Sequence, residues 1–551
     1  MGSTFDGLYI AKSGVQTART NLNVTGQNIA NANTDGYTRQ RVDQSAIAPT
    51  SIDMLYAATG AIVGEGVSAD AISQLRNSFL DVQYRTQNAQ CGLTSTQLSA
   101  LQDIEDALNE TSTEGISAAY SDLIEQLEGL TSTGNSTATE STVKEAASVL
   151  ATKFNTVAGQ LETIRNQQYD YLSTFGVEKV NDLLQNIASL SDEIKNADIA
   201  GNPALELMDK RNLMIDELSE YINIKVVETP TDVGSGKTVD TLSIYLADSN
   251  GDLITSQYYD SDSGSIVTDK EPICLVNGEQ AGSLSMSSSS SPDYAVITVV
   301  DTNGNTCADS LTTDASGNLI DADSNSLFEA GSLSGYLKLL NENGEYDTPS
   351  GGITESFRGI GYYENMLDTL AQKLAAVMNA DNSTNDAENN KPLFTDSNGT
   401  LNITAANIRV SPSWTSGYLT LSKDAENAGD DASGSNSNIT KMISDLTSTE
   451  YTFSTSEGID LFAGTMQEAV DNVSLTLGQD IGGLDAQDTA NSTMLNNIDT
   501  RRQSLSSVDI NEEAINLVIY NQALAASARF MTAVDECLQT IINGMGIAGR
   551  G

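Results

Sequence analysis

The side chains that carry out most enzyme chemistry are unevenly represented in this chain. Its 551 residues include 75 acidic residues and four cysteines but no histidine. This composition excludes Ser-His-Asp and Cys-His catalysis, histidine-containing zinc sites and imidazole acid–base catalysis. The sequence also has no G-x-x-x-x-G-K-[ST] phosphate loop, and no G-x-G-x-x-G segment follows a strand. We therefore predict no catalytic, cofactor-binding or metal-binding residues, and we predict that the protein is not an enzyme.

Four acidic turns resemble calcium loops in composition. Each begins with aspartate and has glycine three residues later, at Asp248, Asp301, Asp314 and Asp396. An EF-hand loop needs glutamate at its twelfth position, because that side chain binds the ion through both oxygens. Counted from Asp248, this position holds Tyr259. We interpret the four segments as hairpin turns.

The four cysteines are far apart in sequence, at Cys91, Cys274, Cys307 and Cys537, and form no C-x-x-C pair. We interpret them as free buried thiols. A disulfide between Cys274 and Cys307 stays open as an alternative.

The negative charge of the chain lies in its middle. The net charge is −48, but residues 1–45 carry four basic and three acidic side chains, and residues 501–551 carry four basic and five acidic ones. Near-neutral ends can pack against copies of themselves, whereas an acidic middle stays in solvent. This distribution predicts no binding to nucleic acid or to an anionic membrane. No apolar run of about 18 residues is present, so we predict no membrane insertion, and we expect no cleavable secretory signal.

Both ends of the chain carry apolar residues at seven-residue spacing, which is typical of helices that pack lengthwise on other helices. A C-terminal helix is predicted over residues 501–545, since no proline follows Pro412. Its main row is Ile510, Leu517, Leu524, Met531, Leu538 and Met545. A patchier second row lies three residues later, at Glu513, Tyr520, Ser527, Val534 and Ile541.

The N-terminal helix, predicted over residues 5–32, has a matching pattern. Its main row is Leu8, Val15, Leu22 and Ile29, and its second row is Ala11, Ala18, Thr25 and Ala32. We predict that both helices form an assembly interface as a terminal coiled coil. The coiled coil is either internal to one molecule or shared between subunits.

The predicted fold is mainly α with an inserted β-rich domain. Terminal heptad helices form a coiled-coil-like core, followed by an elongated helical-bundle domain and an outer β domain. The terminal assembly domain comprises residues 1–45 and 501–551. The helix-rich middle domain comprises residues 46–225 and 331–500, with a short β segment near 400–422, and the β-rich insertion comprises residues 226–330.

Three details of this prediction concern individual elements. Residues 71–199 are predicted to be helical, with the clearest 3–4 apolar spacing beginning at Val143. Short strands are predicted at residues 401–404, 408–411 and 418–422. A glycine-rich break is expected around residues 481–483, before the C-terminal helix.

The segment that ends the N-terminal helix carries a specific motif. Residues 28–37 read NIANANTDGY and are followed by Thr-Arg-Gln. This stretch resembles the N-terminal signature of bacterial flagellar rod, hook and hook-associated proteins, and its continuation resembles the hook-associated protein 1 family. Glycine tolerates the positive φ that reverses a chain. The predicted signature turn contains Asn33, Gly36, Tyr37 and Arg39.

Two further segments resemble the same family. Residues 205–224 are similar to its D-x-R helix, with Asp209 and Arg211 at the polar positions and Asn212 where the family usually has an acidic residue. We interpret Asp209 and Arg211 as part of a surface or interdomain ion pair. Residues 501–542 are similar to the family's C-terminal segment, with Ser507 where glycine is frequent.

The resemblance implies a structural component of the hook–filament junction. The implied partners are copies of the chain in a ring or helical layer, the flagellar hook protein, the next junction protein (hook-associated protein 3) and an export chaperone on the C-terminal helix. It also implies uncleaved export through the flagellar type III channel and an extracellular location on the flagellum. A hook or distal rod protein, a coiled-coil-stalked surface adhesin and an enzyme within the insertion stay as alternatives.

Overall fold

The computed structural model describes residues 6–48, 64–108, 115–133, 137–234, 238–260, 265–288, 295–308, 310–313, 319–344, 357–382, 391–421, 437–455, 458 and 460–547. Within these residues the helices are α1 (Asp6–Ala30), α2 (Ser78–Leu108), α3 (Ile116–Thr133), α4 (Thr137–Tyr171), α5 (Lys179–Ile199), α6 (Leu205–Tyr221), α7 (Ser332–Asn341), α8 (Ile360–Asp381), α9 (Ser437–Thr447), α10 (Met466–Ser506) and α11 (Ile510–Ile547). A π-helical segment, Leu172–Glu178, joins α4 to α5.

The strands are β1 (Gln40–Ile47), β2 (Gly66–Gln74), β3 (Ile224–Asp232), β4 (Thr238–Leu246), β5 (Thr255–Asp260), β6 (Ser265–Pro272), β7 (Cys274–Asn277), β8 (Gln280–Ala281), β9 (Ser283–Ser288), β10 (Ala295–Val300), β11 (Thr306–Ala308), β12 (Ser310–Thr313), β13 (Leu319–Asp323), β14 (Phe394–Thr395), β15 (Arg409–Val410), β16 (Tyr451–Ser454) and β17 (Asp460–Gly464). We call α2–α10 together with β3–β17 the body. We call α1, β1, β2 and α11 the terminal unit.

The helices of the body pack around one continuous apolar core. In α4 the buried side chains recur every three or four residues and include Val143, Leu150, Phe154 and Leu161. This spacing places them in one stripe along the helix, as the sequence predicted. The core that they enter extends from α2 to α10 and contains no residue of α1 or α11.

The β-rich region between α6 and α7 consists of antiparallel strands. One sheet has the order β3-β4-β7-β8 and the other has the order β6-β5-β11-β10-β9, beside the hairpin β12–β13. Ile244, Leu275 and Ile297 from these sheets belong to the same core as the helices. The mainly α fold with a β-rich insertion is therefore confirmed. Because the core continues from helices to sheets, the division into separate domains stays a prediction.

The acidic turns are closed by their own aspartates. The Oδ1 atom of Asp248 accepts hydrogen bonds from the backbone N–H groups of Asn250 and Asp252, at 2.9 and 2.8 Å. Asp301 and Asp396 close their turns in the same way. These three segments are turns, as predicted, whereas the Asp314 turn lies outside the described residues.

Several predicted strands and helices were wrong. Residues 66–74 form β2 instead of the start of a helix, because they pair with β1 in a register that sets Val42 opposite Ile72. Residues 401–404 and 418–421 are not strands, and within the predicted β segment only Arg409–Val410 is one. The backbone N–H groups of Tyr418 and Leu419 donate to the buried Glu140 carboxylate of α4, so they are not available to a sheet.

The C-terminal helix also begins differently from the prediction. The glycines at 482 and 483 do not interrupt α10, which continues along α2 up to Ser506. A glycine costs a helix only about 1 kcal/mol, and tertiary packing readily offsets this. The chain bends instead at Ser507, whose backbone is extended at φ −76° and ψ 157°. This conformation is open to any residue, so serine fits where the family often has glycine.

Candidate assembly surface

The two terminal helices pack on each other within one chain and run antiparallel. Gly7 of α1 lies against Val534 of α11, and Gly14 lies against Ser527. A Cβ atom at Gly14 would be 2.8 Å from Ser527 Oγ, and one at Gly7 would be 3.2 Å from Val534 Cγ2. Glycine at these two positions therefore lets the helices approach more closely than a larger residue would.

The predicted apolar row of α1 lies at the edge of this contact. Its members are only half-buried: Leu8, Val15, Leu22 and Ile29. The row three residues later is the enclosed one, since Ala11, Ala18 and Thr25 are at most 6% exposed. Small side chains face the crowded centre because helices separated by leucine or isoleucine could not come so close.

The predicted apolar row of α11 is half-buried in the C-terminal part of the helix and exposed in its N-terminal part. Leu524, Met531 and Leu538 are half-buried, whereas Ile510 and Leu517 are exposed. A straight helix drifts by about 20° for every seven-residue repeat, so one row cannot face the same neighbour over its whole length. The enclosed side of α11 also includes residues of the second row, which are buried or half-buried: Glu513, Tyr520, Ser527 and Val534. Met545 lies in α11, but its side chain is outside the described residues.

Among the described residues, one apolar strip of α11 is more than half exposed. Ile515, Val518 and Ile519 are 61%, 52% and 52% exposed, and we call them the outer stripe. Val518 and Ile519 lie three and four residues after Ile515, which places all three on one side of the helix. The predicted assembly residues are therefore split between an internal helix contact and an open face, and their role in assembly stays a prediction.

The signature turn is organised by Asn28, which is 1% exposed. Its Nδ2 donates to the carbonyl oxygen of Gln40 at 2.9 Å, and its Oδ1 accepts from the backbone N–H of Gln40 at 3.0 Å. The Tyr37 hydroxyl donates to the same Oδ1 at 2.9 Å. One buried amide thus ties the end of α1 to the start of β1. Burial, followed by the negative charge of Asp209, raises the pKa of Tyr37.

Arg39 connects this turn to the joint between α10 and α11. Its backbone N–H donates to the Ser506 carbonyl oxygen at 2.8 Å. Its guanidinium donates to Glu513 at 2.8 Å and to both carboxylate oxygens of Glu512 at 2.8 and 3.2 Å. Glu513 is only 2% exposed. The two glutamates lie in the first turn of α11, where negative charge also suits the helix dipole.

The helix α6 holds the turn from the opposite side. Asp209 Oδ2 accepts a hydrogen bond from the Thr38 backbone N–H at 3.1 Å. Arg211 donates instead to Glu228 at 3.1 Å. Both Asp209 and Arg211 are buried, so the surface alternative of the prediction was wrong. Arg211 forms an ion pair with a residue of the β-rich region, as the interdomain alternative expected, whereas Asp209 accepts a backbone hydrogen bond. Burial raises the pKa of Asp209 and lowers that of Arg211.

A second polar contact fixes the end of α10 on the body. Arg502 donates to Asp216 of α6 at 2.5 Å, and its guanidinium lies 3.9 Å from the centre of the Tyr84 ring of α2. Arg85 donates to the other Asp216 oxygen at 2.8 Å. Three helices therefore meet at one carboxylate directly before the bend into α11.

The other signature residues are placed differently. Gly36 has the φ of 76° that the turn requires, and its backbone packs on Leu213 of α6. Asn33 is exposed.

The sequence interpretation did not select Asn28 and Glu513 as site residues. Asn28 lies within the motif, and Glu513 is an acidic residue in an otherwise apolar heptad row, which was a usable signal.

The described residues were compared with the requirements of a membrane span, a metal site and a disulfide. None of their helices combines the length and apolar character needed to cross a membrane. They contain no group of three or more cysteine, aspartate and glutamate side chains that could hold a metal ion. Cys274 and Cys307 are free thiols, and burial raises the pKa of both, that of Cys307 to about 12.

Comparisons with known proteins agree with this arrangement. The family described as flagellar hook-associated protein FlgK helical domain matches residues 101–394, and the flagella basal body rod protein family matches residues 8–38. Flagellar hook-associated protein 1 of Bacillus subtilis (strain 168) is 28% identical over the full length of both chains. The protein of that name from Escherichia coli (strain K12) is 25% identical over 39% of this chain and 38% of its own.

A solved structure, the flagellar hook junction protein FlgK from Burkholderia pseudomallei, is 18% identical. It matches 59% of this chain and 46% of its own with a TM-score of 0.39.

These findings define a structural protein of the bacterial flagellum. The rod-type N-terminal signature and the helical body together identify its class, which builds the hook–filament junction. The chain belongs to the flagellar hook-associated protein FlgK family, also named flagellar hook-associated protein 1.

Proposed function

We propose that this chain is a non-catalytic building block of the hook–filament junction and that its terminal unit joins one copy to the next. The observation that carries this proposal is the uncovered outer stripe on α11. A monomeric protein gains nothing by exposing such a strip, whereas contiguous apolar surface is typical of interaction sites. The near-neutral charge of both chain ends supports the same role, because it allows copies to approach without strong repulsion.

The test replaces an apolar side chain that the monomer does not bury. Val518→Asp changes a residue that is 52% exposed, so we expect an unfolding midpoint like that of the wild type. In cells that lack their own copy of the gene, we expect the variant to be missing from purified flagella, with loss of motility. The matched control is Val149→Asp on the body helix α4, a valine that is 41% exposed. Normal incorporation of Val518→Asp would overturn the proposal.

The partners are proposed from the family resemblance. Hook protein would contact the terminal unit on one side, and hook-associated protein 3 on the other. An export chaperone would cover α11 before uncleaved export through the flagellar type III channel to the extracellular flagellum.

Hydrogen exchange on the purified chain, with and without hook fragments, tests the proposed contact between hook protein and the terminal unit. We expect the amides of α1 and α11 to exchange more slowly when hook fragments are added, and unchanged exchange would contradict it.

A further inference from the structure

A hollow of about 470 Å³ opens on the surface of the terminal unit where α1, β2 and α11 meet. None of the described residues that line it is charged, and its wall is almost entirely apolar. The lining residues are Ile10, Ala11, Gly14, Gly66, Val67, Ala526, Ser527 and Phe530. We call this feature the hollow.

The hollow is lined mostly by very small residues. Gly14, Gly66 and Ala526 contribute no side chain beyond a methyl group, and Phe530 is the largest residue of the lining. Phe530 is 45% exposed, so a large aromatic ring borders an open space instead of filling one. An apolar recess of this size has room for a branched apolar side chain of a partner, and burying such a side chain stabilises the contact.

The outer stripe supplies side chains of this kind. Among the described residues, eight of the 20 exposed large apolar side chains lie on α11. Ile515 and Ile519 are both branched, and both are more than half exposed. The hollow and the stripe therefore share the same apolar character.

One molecule cannot bring these two surfaces together. Ile515 and Ala526 lie on the same uninterrupted helix, eleven positions apart, which separates them by about 16 Å along a rigid axis. An outer stripe that enters this hollow must therefore belong to another chain. The ends of a second copy are suited to this because they are close to neutral, while nearly all of the net charge of −48 lies between them.

We propose that the hollow of one copy receives the outer stripe of a second copy, with Ile519 entering the recess beside Ala526. This inference rests on the proposed function and specifies its contact. We place this contact head-to-tail, which leaves one hollow and one outer stripe of each pair free for further copies. Contacts of this type generate a closed ring or an open helix according to the rotation between neighbours.

The first test is disulfide formation within assembled flagella. Cells without their own copy of the gene co-express two chains, both carrying Cys537→Ser to remove the exposed native thiol. One chain carries Ala526→Cys and the other carries Ile519→Cys. After mild oxidation of purified flagella, we expect several-fold more cross-linked heterodimer than with the control pair Ala526→Cys and Val149→Cys. Incorporation of both chains with no excess over this control would overturn the proposed contact.

The second test fills the recess. Ala526→Trp places an indole in the hollow from an exposed position, so the monomer should fold normally. We expect this variant to be largely missing from flagella, whereas Ala525→Trp, also exposed and outside the lining, should be incorporated. Incorporation of Ala526→Trp like the wild type would overturn the proposal. If the wild-type chain itself were missing from flagella, the proposed function would fail instead, and the two failures are therefore distinguishable.

Discussion

The body and the terminal unit of this protein bury different kinds of side chains. The body encloses large apolar residues such as Leu123, Phe154, Tyr363 and Trp414 in a continuous core. In the terminal unit, α1 buries mainly alanine, threonine and asparagine side chains, together with Val24, while the outer stripe of α11 is exposed. The body therefore completes its core within one chain, whereas the terminal unit leaves apolar surface for another molecule.

The two regions also differ in how they are fixed in place. The body is held by apolar burial, which is not directional and tolerates small shifts. The terminal unit is held to the body by hydrogen bonds of defined geometry, from the Arg39 backbone N–H to Ser506 and from the Thr38 backbone N–H to Asp209, and Asn28 orders the turn that carries both donors. Such contacts fix the direction of a helix more strongly than they stabilise it. This suits a unit whose orientation decides how copies meet.

The largest expected effect is on the body. Leu127→Ala removes a fully buried side chain of α3, and we expect the free energy of unfolding to fall by about 2–5 kcal/mol. Denaturant titration measures this. Val518→Ala, on the outer stripe, should change the same quantity by no more than about 0.5 kcal/mol. If both substitutions lowered the free energy of unfolding equally, the proposed difference between the buried core of the body and the exposed outer stripe would be wrong.

A smaller effect is expected within the terminal unit. Gly14→Val introduces a Cβ that meets Ser527 Oγ at 2.8 Å, together with two methyl groups, so α11 must move away from α1. Overpacking of this kind costs about 1–3 kcal/mol. We expect faster hydrogen exchange in α1 and α11 and unchanged exchange in α4.

The matched control for this substitution is Gly26→Val, on the same helix, where a Cβ would have no atom within 4 Å. This variant should keep the wild-type exchange of α11. Similar exchange in both variants would show that close approach at Gly14 does not matter.

The third effect, similar in size but confined to one turn, concerns the signature turn. Asn28→Ala leaves the backbone groups of Gln40 without their buried partner, which costs about 1–3 kcal/mol. We expect this loss to appear as faster exchange of the Gln40 amide, with the unfolding of the body little changed. Asn33→Ala alters an exposed residue of the same motif and should have no such effect. If both variants behaved alike, Asn28 would not organise the turn.

Local patterns in the sequence were sufficient for much of the body. The apolar stripe of α4, the turn at Gly36 and the change from helix to strands near Ile224 depend on neighbours within a few residues. The hairpin β16–β17 and the strand β2 were not found, because each depends on pairing with another segment. The length of α10 was missed for a related reason, since its support comes from α2.

The sequence by itself determined that both chain ends are helical, nearly neutral and patterned every seven residues, because charge and periodicity are properties of the chain. Only the tertiary structure decided which row faces which neighbour. Gly14 and Ala18 allow α1 and α11 to touch along the small row, and helical drift turns Ile510 and Leu517 away from that contact. Side-chain size at the point of closest approach selects the buried face, and this point exists only after two distant segments have come together.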